Sequence, residues 1–85
     1  MPHRILLADA DTPERRALEK YLSGVLGYPV VTAESGQAAI DAAMSGGFDL
    51  CILSVGLDGL NGTETYTRLR VLQPNLDTIF LTEAG

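Results

Sequence analysis

The chain has 85 residues, of which 46% are apolar and 20% charged, a composition typical of a soluble globular domain. Its 6 Lys and Arg against 11 Asp and Glu give a net charge of −5, which argues against binding along a nucleic-acid backbone. With no apolar run of about 18 residues and no signal-peptide pattern, we expect a single cytoplasmic domain over residues 1–85, outside the membrane. The single cysteine, Cys51, excludes an internal disulfide and is expected to be an inert buried thiol.

The chain begins with the pattern of a strand followed by an amphipathic helix. The strand covers residues 4–8 and ends at Asp9, and Thr12 is expected to cap the helix, with Pro13 at its first position. The apolar residues that recur at helical spacing are expected to face inward: Ala17, Leu18, Tyr21, Leu22 and Val25. The outer face is then largely charged, with Glu14, Arg15, Arg16, Glu19 and Lys20.

The next elements repeat this alternation. A second strand is predicted over residues 30–33, and a second helix is opened by residues 35–37 and closed by residues 45–47. The unbroken apolar run over residues 50–53 predicts a strand covered on both faces, as in a parallel sheet. This strand ends at a small hydroxyl residue, Ser54.

The last part of the chain predicts a third helix and a fourth strand. The glycines of the intervening loop are expected at turn positions with φ > 0, namely Gly56, Gly59 and Gly62. Asn61 or Thr63 is expected to cap the helix, Pro74 to stop it, and residues 78–82 to form the strand. Its inward residues are expected to be Tyr66, Leu69, Val71 and Leu72. Strands that alternate with helices predict a parallel sheet with right-handed crossovers.

Polar side chains collect where the predicted strands end. In open α/β sheets the chemistry lies outside the carboxyl ends of the strands, so we expect one group of Asp9, Asp11, Ser54 and Thr82. A serine nucleophile needs a general base, and the only histidine, His3, lies at the opposite end of the first strand, roughly 20 Å from Ser54. A Ser–His catalytic pair is therefore not expected.

Three blocks of this sequence resemble the receiver domain of two-component response regulators. They are Ile-Leu-Leu-Ala-Asp-Ala-Asp at residues 5–11, the stretch over residues 48–62 with its Gly-Leu-Asn-Gly loop, and Ile-Phe-Leu-Thr-Glu-Ala-Gly at residues 79–85. The resemblance implies a flavodoxin-like, three-layer α/β fold that accepts a phosphoryl group from a histidine kinase. The family's phosphoacceptor aspartate falls on Ser54, and its Mg²⁺-binding acid falls on Ala10.

Other family positions are matched only in part. Asp9 matches the first acid, Thr82 matches the switch hydroxyl, and Glu83 stands where the family usually has a small residue. The family's lysine has no counterpart, and neither do the fifth strand and the last helices, so the fold is expected to be incomplete, with four strands and about three helices. Asp11 could reach the pocket, but we expect it to point outward or to cap the helix.

These departures predict a pseudo-receiver, a non-enzymatic module that acts by protein–protein interaction without phosphorylation. Mg²⁺ prefers several hard oxygen ligands, so Asp9 beside Ala10 and the neutral Ser54 predicts weak or absent Mg²⁺ binding and no cofactor. Candidate partners are a histidine-kinase-like protein, a regulator, or a second copy in a homodimer. The expected interface is the exposed edge of the fourth strand, with Ile79, Phe80 and Leu81.

Several alternatives remain open. The chain could be a fragment of a longer protein with an output domain, or a short chain that completes itself by dimerising or by docking on a partner. It could also be a true phosphoacceptor that uses Asp9, Asp11 or Asp58 in place of the lost aspartate. A third alternative is an otherwise active regulator with a variant acceptor at Ser54.

Overall fold

The computed structural model describes residues 4–57 and 61–81. Within these residues the chain alternates strands and helices in the order that the sequence predicts. The strands are β1 (Ile5–Ala8), β2 (Val30–Ala33), β3 (Leu50–Ser54) and β4 (Asp77–Leu81). The helices are α1 (Thr12–Glu19), which continues as a π-helical segment (Lys20–Val25), α2 (Gly36–Met44) and α3 (Gly62–Leu72). None of the described helices has the length and apolar character that crossing a membrane would require.

The strands form one parallel sheet in the order β2-β1-β3-β4. The register aligns Ala8 of β1 with Ala33 of β2 and with Leu53 of β3. The residues that follow these strands therefore emerge at the same edge of the sheet. This confirms the predicted α/β architecture with four parallel strands and three α-helices.

Helices cover the sheet from both sides. Successive strand residues point to opposite faces, so Leu6, Cys51 and Leu53 pack under α2 and α3, in a buried cluster that includes Ala39, Ala43 and Leu69. The alternate residues Ile5, Leu7 and Ile52 form a smaller buried cluster, against which Leu18, Leu22 and Tyr28 pack. Burial raises the pKa of the Cys51 thiol to about 12, which leaves it protonated at neutral pH and agrees with an inert thiol.

The predicted orientation of the first helix is wrong in part. Its N-cap is Asp11, not Thr12, and Arg15, which was expected on the outer face, is buried. The inward side consists of positions 15, 18 and 22, whereas Ala17, Tyr21 and Val25 are exposed. The π-helical bond from Leu26 N–H to Tyr21 O (3.0 Å) spans five residues, but it lies beyond Arg15 and Ala17, and positions 15, 18 and 22 keep the spacing of an α-helix.

The third helix is capped by Asn61, whose side chain accepts from Glu64 N–H, so the choice between Asn61 and Thr63 is settled in favour of the former. Tyr66 and Leu69 face inward as predicted, but Val71 and Leu72 are exposed. The fully buried residue of this helix that sequence reasoning missed is Thr65, one turn before Leu69.

The expected role of the loop glycines is wrong for the two that are described. Positive φ occurs at Gly27, Gly46 and Gly47, and not at Gly56 or Gly62. Gly62 is instead required by close packing, because a Cβ there would lie 2.7 Å from Ser54 O and 2.7 Å from Val55 Cα. Gly59 lies outside the described residues.

Candidate functional site

A cavity of about 100 Å³ opens at the carboxyl edge of the sheet. Its lining consists of Asp9, Asp11, Glu14, Ser54, Val55, Gly56 and Leu81. We call it the carboxyl-edge pocket. The structure thus brings together Asp9, Asp11 and Ser54, which sequence reasoning placed at this edge, whereas Thr82, Glu83, His3 and Asp58 lie outside the described residues.

Asp9 follows the buried strand β1 and is itself only 1% exposed. Its Oδ1 accepts a hydrogen bond from Asp11 N–H (3.0 Å), and its backbone oxygen accepts one from Arg15 Nη1 (2.9 Å). Its Oδ2 is buried without a hydrogen-bond partner among the described residues. Buried polar atoms are normally paired, so this oxygen is an exception that the fold tolerates at the floor of the pocket.

Asp11 is the N-cap of the helix that follows, α1. Its Oδ1 accepts from Glu14 N–H (3.0 Å) and thereby satisfies one of the free donors at the start of α1. A carboxylate also interacts favourably with the partial positive charge of a helix N-terminus. The structure therefore agrees with the expected capping role of Asp11, although its side chain still borders the pocket.

Ser54 is half-buried at the end of β3, where its Oγ accepts from Gly56 N–H at 3.4 Å. The described lining of the pocket contains carboxylates but no histidine and no lysine. The described hydrogen bond of Ser54 Oγ is with Gly56 N–H and not with a carboxylate of the pocket, so no general base is positioned on this hydroxyl within the described residues. Its observed role is a weak hydrogen bond within its own loop.

Arg15 is the residue near this site that sequence reasoning missed. Besides its bond to the backbone of Asp9, its Nη2 lies 3.4 Å from Glu34 Oε1, so the guanidinium connects the end of β1 with the end of β2. The signal was present in the sequence, because position 15 lies three and seven residues before Leu18 and Leu22. A charged residue was not expected on the inner face, since burial of a charge requires partners that only the fold supplies.

Comparison with known proteins identifies the fold and its family. Residues 5–85 match the family model of the response regulator receiver domain. The chain belongs to this family. Receiver domains of response regulators are modules of two-component signalling, and the resemblance noted in the sequence is thereby confirmed.

Related receivers include curated proteins and solved structures. The chain is 37% identical over 82 residues to the response regulator MprA of Mycolicibacterium vanbaalenii, covering 96% of this chain and 35% of that protein. It is 36% identical to the response regulator TrrA of Thermotoga maritima, which was solved in complex with Mg²⁺–BeF. The TM-score is 0.81, and the match covers 94% of this chain and 69% of that one. A receiver structure from Methanospirillum hungatei has a TM-score of 0.89 at 26% identity, covering 100% of this chain and 67% of that one. The chain thus spans about a third of the curated relative, 35%, and about two thirds of the solved receivers, 67–69%.

The Mg²⁺ that the family implies does not fit the residues of this pocket. The ion prefers near-octahedral coordination by hard oxygens. Oδ1 of Asp9 and Oδ1 of Asp11 already accept backbone N–H groups, position 10 is an alanine, and Ser54 supplies a neutral hydroxyl. Residues 4–57 and 61–81 contain no group of three His, Cys, Asp or Glu side chains placed to hold a metal. Oδ2 of Asp9 is the one buried side-chain oxygen without a hydrogen-bond partner among the described residues, and one such oxygen does not make a magnesium site.

Proposed function

We propose that this receiver domain acts in two-component signalling as a phosphorylation-independent, non-enzymatic module that works through protein–protein contacts. The observation that carries the proposal is the serine at the end of β3, the position to which the resemblance assigns the phosphoacceptor. A carboxylate can attack phosphorus directly, whereas a serine hydroxyl must lose a proton to a base. Among the described residues, no carboxylate of the pocket lining is hydrogen-bonded to Ser54 to take that proton.

The cation chemistry of the pocket supports the same proposal. Phosphoryl transfer depends on positive charge that stabilises the phosphoryl oxygens. The described lining carries three carboxylates, from Asp9, Asp11 and Glu14, and no basic side chain, so it repels a phosphate-like anion. Arg15 does not compensate, because its guanidinium is held by the backbone of Asp9 and by Glu34.

The proposed contact surface is the outer edge of β4. This strand pairs with β3 on one side, and the described residues provide no strand on its other side. Ile79 is 51% exposed. Phe80 is also exposed, although its ring packs edge-on against the ring of Tyr66, with 5.2 Å between the ring centroids. Unpaired backbone groups and apolar side chains along an edge favour pairing with another strand. The proposed partners are a histidine-kinase-like protein, a regulator, or a second copy that forms a homodimer.

Phosphoryl labelling tests the first part of this proposal. The 85-residue chain is incubated with radiolabelled acetyl phosphate and MgCl₂, beside the receiver domain of TrrA as a positive control for the phosphodonor. We expect label on the control and none on this chain. The variant Ala10→Asp/Ser54→Asp, which restores both missing carboxylates, is expected to gain label that hydroxylamine removes, as it does from acyl phosphates.

The same experiment separates the rival interpretations. Label on the unmodified chain that is lost in Asp9→Asn, Asp11→Asn or Asp58→Asn would identify an alternative acceptor and contradict the proposal. Label that resists hydroxylamine and is lost in Ser54→Ala would show a phosphoserine, and would contradict it equally. Sedimentation of the unlabelled chain then tests the β4 edge: association that Ile79→Lys abolishes supports it, and association unchanged by Ile79→Lys places the contact elsewhere.

A further inference from the structure

A shallow surface groove, with a volume of about 340 Å³, lies between the C-terminal halves of α2 and α3, away from the carboxyl edge. Its lining consists of Ile40 and Met44 from α2 and Arg68, Val71 and Leu72 from α3. We call it the α2–α3 groove. These residues follow one another at helical spacing, so each helix contributes a ridge to one side of the groove.

The groove exposes apolar side chains that are not buried in the core of the described residues. Met44 is 67% and Val71 is 78% exposed, whereas Ile40 is buried at the base of the groove. Single exposed apolar residues are ordinary on a protein surface. Here three exposed apolar residues, Met44, Val71 and Leu72, line the same groove. Cover by a partner would remove this apolar area from water.

The walls of the groove are held in a fixed arrangement. Gln73, which follows α3, donates from Nε2 to Ala43 O in the last turn of α2 at 3.2 Å. Below this bond, Leu69 of α3 and Ala43 of α2 belong to the same buried cluster. A groove whose sides are already positioned costs a ligand little reorganisation.

The charge of the groove indicates the chemistry of its occupant. Arg68 is the charged residue of the described lining, and it has neither a hydrogen bond nor an ion pair within the described part of the chain. It is exposed in a chain whose net charge is −5. A carboxylate at the rim of the groove would complement this guanidinium, and a basic group would be repelled by it.

We infer that the α2–α3 groove is a docking site for an amphipathic helix of another protein, with an apolar stripe on the groove and a carboxylate beside Arg68. A helix is the element whose i, i+3, i+4, i+7 stripe fits between two helical ridges. A second copy that pairs groove to groove is disfavoured as the occupant, because the described lining contains Arg68 but no carboxylate that would complement it. A second copy that instead used exposed Tyr21 and Val25, on a different part of the molecule, would make a head-to-tail contact that builds a ring or a filament.

The test is a titration of the ¹⁵N-labelled chain with a designed helical peptide of about 18 residues, which carries a leucine stripe flanked by glutamates. We expect saturable shifts at the C-terminal halves of α2 and α3. Val71→Asp, at an exposed position that leaves the core intact, is expected to abolish them. Arg68→Glu is expected to weaken binding about tenfold, whereas the matched variant Arg70→Glu, whose guanidinium lies over the Tyr66 ring outside the groove, leaves it unchanged.

A charge-reversed peptide, with lysines in place of the glutamates, completes the test. It should bind the unmodified chain weakly and should regain affinity for Arg68→Glu. Shifts centred on the β4 edge or the carboxyl-edge pocket would overturn the inference, as would affinities that do not depend on Arg68. Sedimentation that shows growing oligomers lost in Val71→Asp would assign the groove to a second copy instead. Phosphoryl labelling is not involved, so this inference can fail independently of the proposed function.

Discussion

The interior of the parallel sheet and its carboxyl edge differ in how their side chains are packed, and the change occurs from one residue to the next along a strand. Leu53 of β3 is 0% exposed and packs in the larger buried cluster, whereas the next residue, Ser54, makes one long hydrogen bond of 3.4 Å at the rim of the pocket. In the same way, buried Ala8 is followed by Asp9, which has an unpaired buried oxygen. The interior is specified by packing, whereas at the edge Ser54 Oγ and Asp9 Oδ2 are atoms that the packing of the sheet does not require.

The largest expected change in the free energy of unfolding is at Leu53, and its neighbour on β3, Ser54, serves as the comparison. Leu53→Ala should lower the free energy of unfolding by about 3 kcal/mol, because it leaves a cavity in the buried cluster. Ser54→Ala should change it by less than about 0.5 kcal/mol, because only a weak loop hydrogen bond is lost. Urea unfolding of both variants measures the difference. Equal destabilisation would show that the serine is a structural residue of the core.

A second pair of variants tests how the loop beside the pocket is held. Gly62→Ala should destabilise the chain by roughly 1–3 kcal/mol, because the new Cβ would meet Ser54 O and Val55 Cα at 2.7 Å. Gly56→Ala is the matched control, since a Cβ there has nothing within 4 Å, and it should be nearly neutral. Thermal unfolding compares the two. A neutral Gly62→Ala would mean that α3 is free to move away from the end of β3.

The smallest expected changes in the free energy of unfolding are at Asp9 and Asp11, and they have opposite signs. Asp11→Ala removes the cap of α1 and should lower the free energy of unfolding by about 1 kcal/mol. Asp9→Asn keeps the oxygen that accepts Asp11 N–H and removes one carboxylate from a pocket lined by three, so it should raise stability by roughly 0.5–1 kcal/mol. Chemical unfolding at pH 7 measures both. A strong loss in Asp9→Asn would show that the charge of Asp9 is satisfied in the native pocket.

The sequence predicts the elements because their signals are local. The apolar run of β3, the Ser35 and Asn61 caps and the glycines after α2 all have the roles that residue type and spacing indicate. The errors arise where tertiary contacts decide. Burial of Arg15 depends on the ends of two strands that meet only in the fold, and the role of Gly62 depends on the backbone of β3.

The candidate site was predictable in position but only partly in detail. A parallel sheet places the ends of β1 and β3 side by side, so the meeting of Asp9 and Ser54 follows from topology. That Oδ2 of Asp9 is left unpaired does not follow from any local pattern. The exposure of Val71 and Leu72, which creates the α2–α3 groove, likewise depends on how α3 packs against α2.

The most direct measurement is an amide NMR titration of the 85-residue chain with beryllofluoride and Mg²⁺, which mimic a phosphorylated receiver. We expect that the amides of Asp9, Ser54 and Leu81, which line the carboxyl-edge pocket, do not shift in a saturable way. The Ala10→Asp/Ser54→Asp variant, measured alongside, is expected to respond. Saturable shifts at those three amides in the unmodified chain would rule out a phosphorylation-independent receiver, because they would show that this pocket still binds the ion and the phosphoryl mimic.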